Sequence, residues 1–178
     1  MSDFSKIASV YIHFETIDST NHWAKGHLST FERDTLTILS ADRQTAAYGQ
    51  KKRLWLAPEG EGLWATFCLY VEGCDSFLLT RAMADALLVL LAQEGIEGQI
   101  KWPNDIVVGK KKIAGILTEV ADNFALIGVG LNVNMPKTRF VEVDQPITSL
   151  LALTKKTFCT KVLLRALAER FKKNIVTY

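Results

Sequence analysis

The chain has 178 residues, of which 48% are hydrophobic and 22% charged; that make-up belongs to one folded domain with a real core and excludes a disordered or fibrous chain. Its formal net charge of +2 is too small to argue for a nucleic-acid surface. The positive charge instead crowds into Lys51-Lys52-Arg53 and Lys110-Lys111-Lys112, local clusters that suit a small anion.

In chain order, residues 10–14 alternate like a short strand. Asp18-Ser19-Thr20-Asn21 offers N-cap residues for a short helix over 22–28. Residues 35–41 are β-rich and apolar, hence a buried strand. The stretch 43–54 is polar and aperiodic, read as an ordered or ligand-ordered loop. A strand over 63–71 precedes an amphipathic helix over 77–94 that stops before Gly95. Short strands follow at 99–102, 106–108, 112–120 and 124–133, with turns at Gly109 and Asp122-Asn123. Connections this short favour antiparallel neighbours. A short helix over 147–153 and an amphipathic helix over 161–176 complete an α+β domain: a mixed, mainly antiparallel sheet flanked by helices.

The three cysteines, Cys68, Cys74 and Cys159, form no CxxC pair and read as reduced thiols of a cytoplasmic protein. Residues 1–10 lack an apolar signal core. The longest apolar run, around 84–92, is short of a membrane span, so no membrane partner is expected. His13, His22 and His27 have no metal-ligand spacing.

Chemistry concentrates in four places. Lys101-Trp102-Pro103-Asn104-Asp105, with Lys112-Ile113-Ala114-Gly115-Ile116-Leu117-Thr118-Glu119 after it, puts an amide, a carboxylate and a lysine beside strand ends, a set suited to a nucleotide phosphate and a divalent cation. The bland alternative is a hairpin with solvated lysines. Residues 41–56 form a basic loop around Gly49 closed by Trp55, suited to a phosphate and a flat ring, or else a solvated surface loop. Ser19-Thr20-Asn21 is either an N-cap or a polar binding segment. Gly128 and Gly130 recur within a strand, where glycine marks close approach, and Asn132 either reads a ligand edge or caps a turn.

In this order the segments resemble the catalytic domain of biotin protein ligases. Asp18 to Asn21 is similar to that family's biotin-contacting segment. Residues 41–55 followed by Ala57-Pro58-Glu59-Gly60 resemble its biotin and adenylate loop. Residues 101–105 and 112–119 match KWPND and KxAGILxE, and 128–134 match GxGxNxN. The resemblance implies a class II aminoacyl-tRNA synthetase-like fold and a two-step, ATP- and Mg²⁺-dependent reaction: biotin is activated to biotinyl-5′-AMP, then passed to a lysine of a carboxylase's biotin carrier domain. It implies Lys112, Asp105 and Arg53 as catalytic, with Asp105 toward the metal. Biotin would contact Ser19, Thr20, Asn21, Gln44, Tyr48, Gly49, Gln50, Lys112 and Gly115. ATP would contact Arg53, Trp55, Asn104, Gly130 and Asn132. A lipoate- or octanoate-type enzyme and a non-catalytic biotin- or adenylate-binding module are the competing readings.

Two departures stand out. The family loop reads GRGRxxR or GxGRxxR, whereas here Ala47 replaces the first glycine and Gln50 an arginine, so weaker retention of the adenylate is expected. The chain is also expected to be a single domain, without an N-terminal helix-turn-helix or a C-terminal β-barrel, hence not to bind DNA, and to act as a monomer or homodimer.

Overall fold

The structure, a computed structural model, describes residues 6–73 and 75–175; Cys74, Val176 and the first five residues of the N-terminal segment considered above lie outside them. Seven strands form one sheet in the order β1-β2-β3-β7-β6-β5-β4. They are β1 (Ala8–Ile17), β2 (Thr35–Gln44), β3 (Gly62–Tyr70), β4 (Gln99–Lys101), β5 (Asp105–Val108), β6 (Lys111–Ala121) and β7 (Phe124–Asn132). β1 and β2 run parallel, and every other pair is antiparallel. The parallel pair has its helical crossover in α1 (Thr20–Gly26), the connection that parallel neighbours need. The mixed, mainly antiparallel sheet expected from the sequence is therefore present.

Local signals account for the boundaries. Ser19 caps α1, its hydroxyl accepting from the His22 amide at 3.4 Å, and the helix ends two residues before the expected point, in a 3₁₀ turn at Leu28–Thr30. Asp75 caps α2 (Ser76–Gln93) by accepting from the Phe77 amide, and Gly95 follows with φ +72°. Asp122 and Asn123 both take positive φ in the β6–β7 turn, as a tight hairpin requires. The short helix α3 (Leu150–Thr154) starts three residues later than expected because Ser149 caps it. The last helix, α4, is Thr160–Ile175.

Side-chain alternation divides the sheet into two faces. Leu63, Ala65, Phe67 and Leu69 of β3 and Ala125, Ile127, Val129 and Leu131 of β7 join one core with Met83, Leu87 and Leu90 of α2 and Leu167 and Phe171 of α4. By length and apolar composition α2 passes for a membrane span, contrary to the expectation that no run is long enough. Its buried face against the sheet and α4 accounts for that apolarity. The opposite face of the sheet carries the polar cavity.

Candidate active site

A cavity of about 230 Å³ opens on that second face. Gly115 of β6 and Gly128 and Gly130 of β7 line it, with Gly115 paired to Gly130. A Cβ on Gly128 would lie 2.6 Å from Asn21 Oδ1, and one on Gly130 would lie 2.6 Å from the Trp55 indole. The bare strand therefore seats two side chains of the protein itself and leaves the cavity above them.

The floor is a hydrogen-bonded polar network. Thr20 gives its amide (2.7 Å) and hydroxyl (3.1 Å) to Gln44 Oε1. The buried Thr66 hydroxyl lies 2.8 Å from Thr20 Oγ1 and 2.5 Å from Asn21 Oδ1. Asn21 donates Nδ2 to Glu119 Oε2 at 2.9 Å. Ser19, Thr20 and Asn21 are all buried and all line the cavity. Their capping and floor roles coexist, since Ser19 caps α1 while the two residues after it turn toward Gln44 and β7.

Above the floor lies a basic arm, residues 45–55. It is ordered as a hairpin: Tyr48 bridges Leu54, the Gly49 amide donates to Arg53 O (2.8 Å), and the Trp55 amide donates to Ala47 O (2.9 Å). Lys51 and Lys52 at its tip both have left-handed backbone (φ 56° and 57°), unusual for residues with a side chain. Tyr48, Gly49, Gln50, Arg53 and Trp55 line the cavity. Ala47, the departure from the family's first glycine, is buried with Ala57, Trp64, Met135 and Ile147; its methyl packs there, and no positive φ calls for glycine.

Lys112 stands at the centre. Its Nζ is 2.6 Å from Asp105 Oδ1, with side-chain exposures of only 13% and 20%, and 4.8 Å above the Trp55 ring. A bulge between Ile106 and Val107 offsets the β5–β6 register, which lets Asp105 and Lys112 meet although they are not opposite. Asn104 also lines the cavity, but its Nδ2 is used by Ile116 O (2.9 Å) while Ile116 N donates back to Asn104 O (2.8 Å). Asn132 differs from expectation: it is absent from the lining, buried, and donates Nδ2 to Thr148 O at 3.0 Å. It pins the segment before α3 rather than facing the cavity.

Glu119, quoted in the motif but given no role from sequence, is a hub. Besides Asn21 it accepts from Lys25 Nζ (2.5 Å) and from Tyr48 OH (3.2 Å). Burial pushes its carboxyl up, but the hydrogen bonds from Lys25, Asn21 and Tyr48 together outweigh that and hold it below the usual range. The same carboxylate raises Lys25 against the opposing effect of burial; burial, reinforced by Glu119, raises Tyr48. The sequence signals for this hub were its place in the KxAGILxE motif and a carboxylate near the end of β6. Among the described residues no cluster of three or more His, Cys, Asp or Glu forms a ready metal site, and Asp105 is the one carboxylate on the cavity wall.

A model of the biotin/lipoate A/B protein ligase family matches residues 13–134. The chain belongs to this family. Among its relatives, the bifunctional ligase/repressor BirA of Bacillus spizizenii is 33% identical over 150 residues, covering 79% of this chain and 46% of the relative. The biotin–[acetyl-CoA-carboxylase] ligase of Mycobacterium tuberculosis is 37% identical over 123 residues, covering 65% and 45%. The chain thus spans about half the length of the curated relatives it matches. In three dimensions it is similar to the biotin protein ligase of Aquifex aeolicus in complex with biotin and ATP, with a TM-score of 0.76 and 29% identity over 93% of this chain and 69% of that one. The arm, the Lys112–Asp105 pair and every residue that lines the cavity except Gln145 lie in the part of the chain that the family model covers.

Proposed function

We propose that this chain carries the catalytic domain of a biotin protein ligase. The observation that carries the reading is the Lys112–Asp105 pair inside a cavity bounded by a polar floor and a basic arm; the names of its relatives point the same way. Biotin's cyclic urea suits the floor of Ser19, Thr20, Asn21 and Gln44, which mixes donors and acceptors. Its carboxylate would reach Lys112, together with the α-phosphate of ATP. Arg53 and Asn104 lie on the nucleotide side, and Trp55, over Gly130, offers a flat apolar wall to the base.

The first step joins two anions. A carboxylate oxygen forms a bond to the α-phosphorus while pyrophosphate leaves, so the cations of Lys112 and Arg53 offset the repulsion where charge develops. In the second step the neutral ε-amine of the acceptor lysine attacks the acyl carbon and AMP departs. In this reading Asp105, displaced from Lys112 by the substrate, takes the amine's proton. A single carboxylate fits a magnesium ion that arrives on the nucleotide phosphates better than one caged by protein alone. Once bound, that ion supplies charge neutralisation on the phosphates. A biotin carrier domain is the proposed acceptor, and a cytoplasmic setting accords with Cys68 and Cys159 both being free thiols.

The deciding experiment is intact-mass analysis of a biotin carrier domain incubated with the protein, ATP, Mg²⁺ and biotin. The expected result is a gain of one biotinyl group, with Lys112→Ala slowing the transfer by about 100-fold or more, the scale of losing one electrostatic anchor. Transfer of lipoate in place of biotin would assign the lipoate branch of the family. Biotin binding without pyrophosphate release would leave a binding module.

A further inference from the structure

Glu119 is absent from the cavity wall, yet it touches two residues that line it. Asn21 belongs to the α1 start and Tyr48 to the arm, and both donate to the same oxygen, Oε2, at 2.9 and 3.2 Å. Lys25, one turn after Asn21, neutralises the other oxygen at 2.5 Å. We propose that Glu119 is a positioning residue that latches the basic arm to the floor of the cavity through Tyr48, so that arm and floor are set as one unit.

The chemistry of the three donors supports this. Tyr48 has one proton, and giving it to Glu119 leaves its oxygen as an acceptor beside the Lys25 ammonium. Asn21 gives Nδ2 to Glu119 and receives Thr66 on Oδ1, so its amide cannot turn over without losing both contacts. A carboxylate acceptor makes stronger bonds than a neutral one, and Glu119 holds its charge. On the arm side, Tyr48 opens the hairpin that the Gly49–Arg53 and Trp55–Ala47 hydrogen bonds continue. Position 48 is an arginine or is left unspecified in the loop patterns GRGRxxR and GxGRxxR; the tyrosine here supplies a hydroxyl long enough to reach β6.

The inference rests on the ligase reading for its kinetic consequence but not for its structural one. Hydrogen exchange of the arm amides in the ligand-free protein tests the latch directly. Tyr48→Phe and Glu119→Gln are each expected to cut protection of the Gly49 and Trp55 amides by about tenfold, the scale of one hydrogen bond to a charged group. The double variant is expected to lose no more than Glu119→Gln alone. Unchanged protection in Tyr48→Phe, a substitution that leaves the ring in place, would overturn the latch, and so would losses that add. In turnover assays KM for biotin should rise about tenfold while kcat stays within about threefold, a split that a general loss of folded protein would not give. If the wild-type protein takes up no biotin, the ligase reading falls while the exchange data still judge the latch.

Discussion

Gln50 sits on the cavity side of the arm, where the loop motif of biotin ligases carries an arginine. It offers a neutral donor; of its basic neighbours, both turned into left-handed backbone, Lys51 also lines the cavity and Lys52 does not. Contacts from a charged donor are about twice as strong as neutral ones. Gln50→Arg is therefore expected to slow release of biotinyl-AMP by about tenfold, measured as free adenylate recovered after rapid gel filtration. Equal release from both proteins would mean the lysines already restrain the intermediate. Single residues also show the limits of reading a sequence. Lys112 and Asp105 were legible because charge beside apolar strand ends must be paired. Glu119 was not, because its three partners, Asn21 and Lys25 of α1 and Tyr48 of the arm, are distant from β6 in sequence and only folding brings them to it. Asn132 left a ligand edge and a turn cap equally open, because the sequence does not show that its amide bonds Thr148 O.

At the scale of elements, β7 shows how close the site is to its limits of space. Gly26 and Gly128 are both free of positive φ, yet differ in what a methyl would meet. At Gly26 nothing lies within 4 Å, whereas at Gly128 a Cβ falls 2.6 Å from Asn21 Oδ1 and 3.1 Å from its Cγ. Asn21 is held from both sides and cannot step away cheaply. Gly128→Ala is expected to destabilise the protein by about 1–3 kcal/mol, the usual cost of overpacking, and to abolish biotin uptake. Gly26→Ala should be neutral or stabilise α1 by up to about 1 kcal/mol. Urea unfolding of the two variants side by side separates the cases. The strands and helices were mostly visible as periodicity, and the turns at Gly109 and Asp122-Asn123 as chemistry. The strand direction of β1 against β2 was not, because nothing within either strand records its neighbour; the α1 crossover between them holds that information.

For the whole molecule, the hub joins stability to pH at both ends of the scale. Glu119 has a folded pKa below its unfolded value of about 4.3. Its contribution is therefore complete above that value and lost as pH falls through the lowered one. Lys25 and Tyr48 are raised above their usual values of about 10.4 and 10. Their contribution is complete below those values and lost as pH rises through the folded ones. The urea midpoint of the wild type is expected to fall below about pH 4 and again above about pH 10. Glu119→Gln should flatten the acid limb and reduce the share of the alkaline limb that Lys25 supplies. An unchanged acid limb in the variant would show that other carboxylates set it.

The setting of Lys112 has a further consequence. Its amide donates to Pro146 O and its carbonyl accepts from the Thr148 amide, both at 2.9 Å, while Asp105 and Trp55 hold its ammonium. A lysine side chain carries about 2 kcal/mol of rotamer entropy, and here that freedom is surrendered once, when the chain folds. In the proposed reaction an anion reaching Lys112 would exchange for the Asp105 carboxylate as its counter-ion, with little disorder of that side chain left to remove.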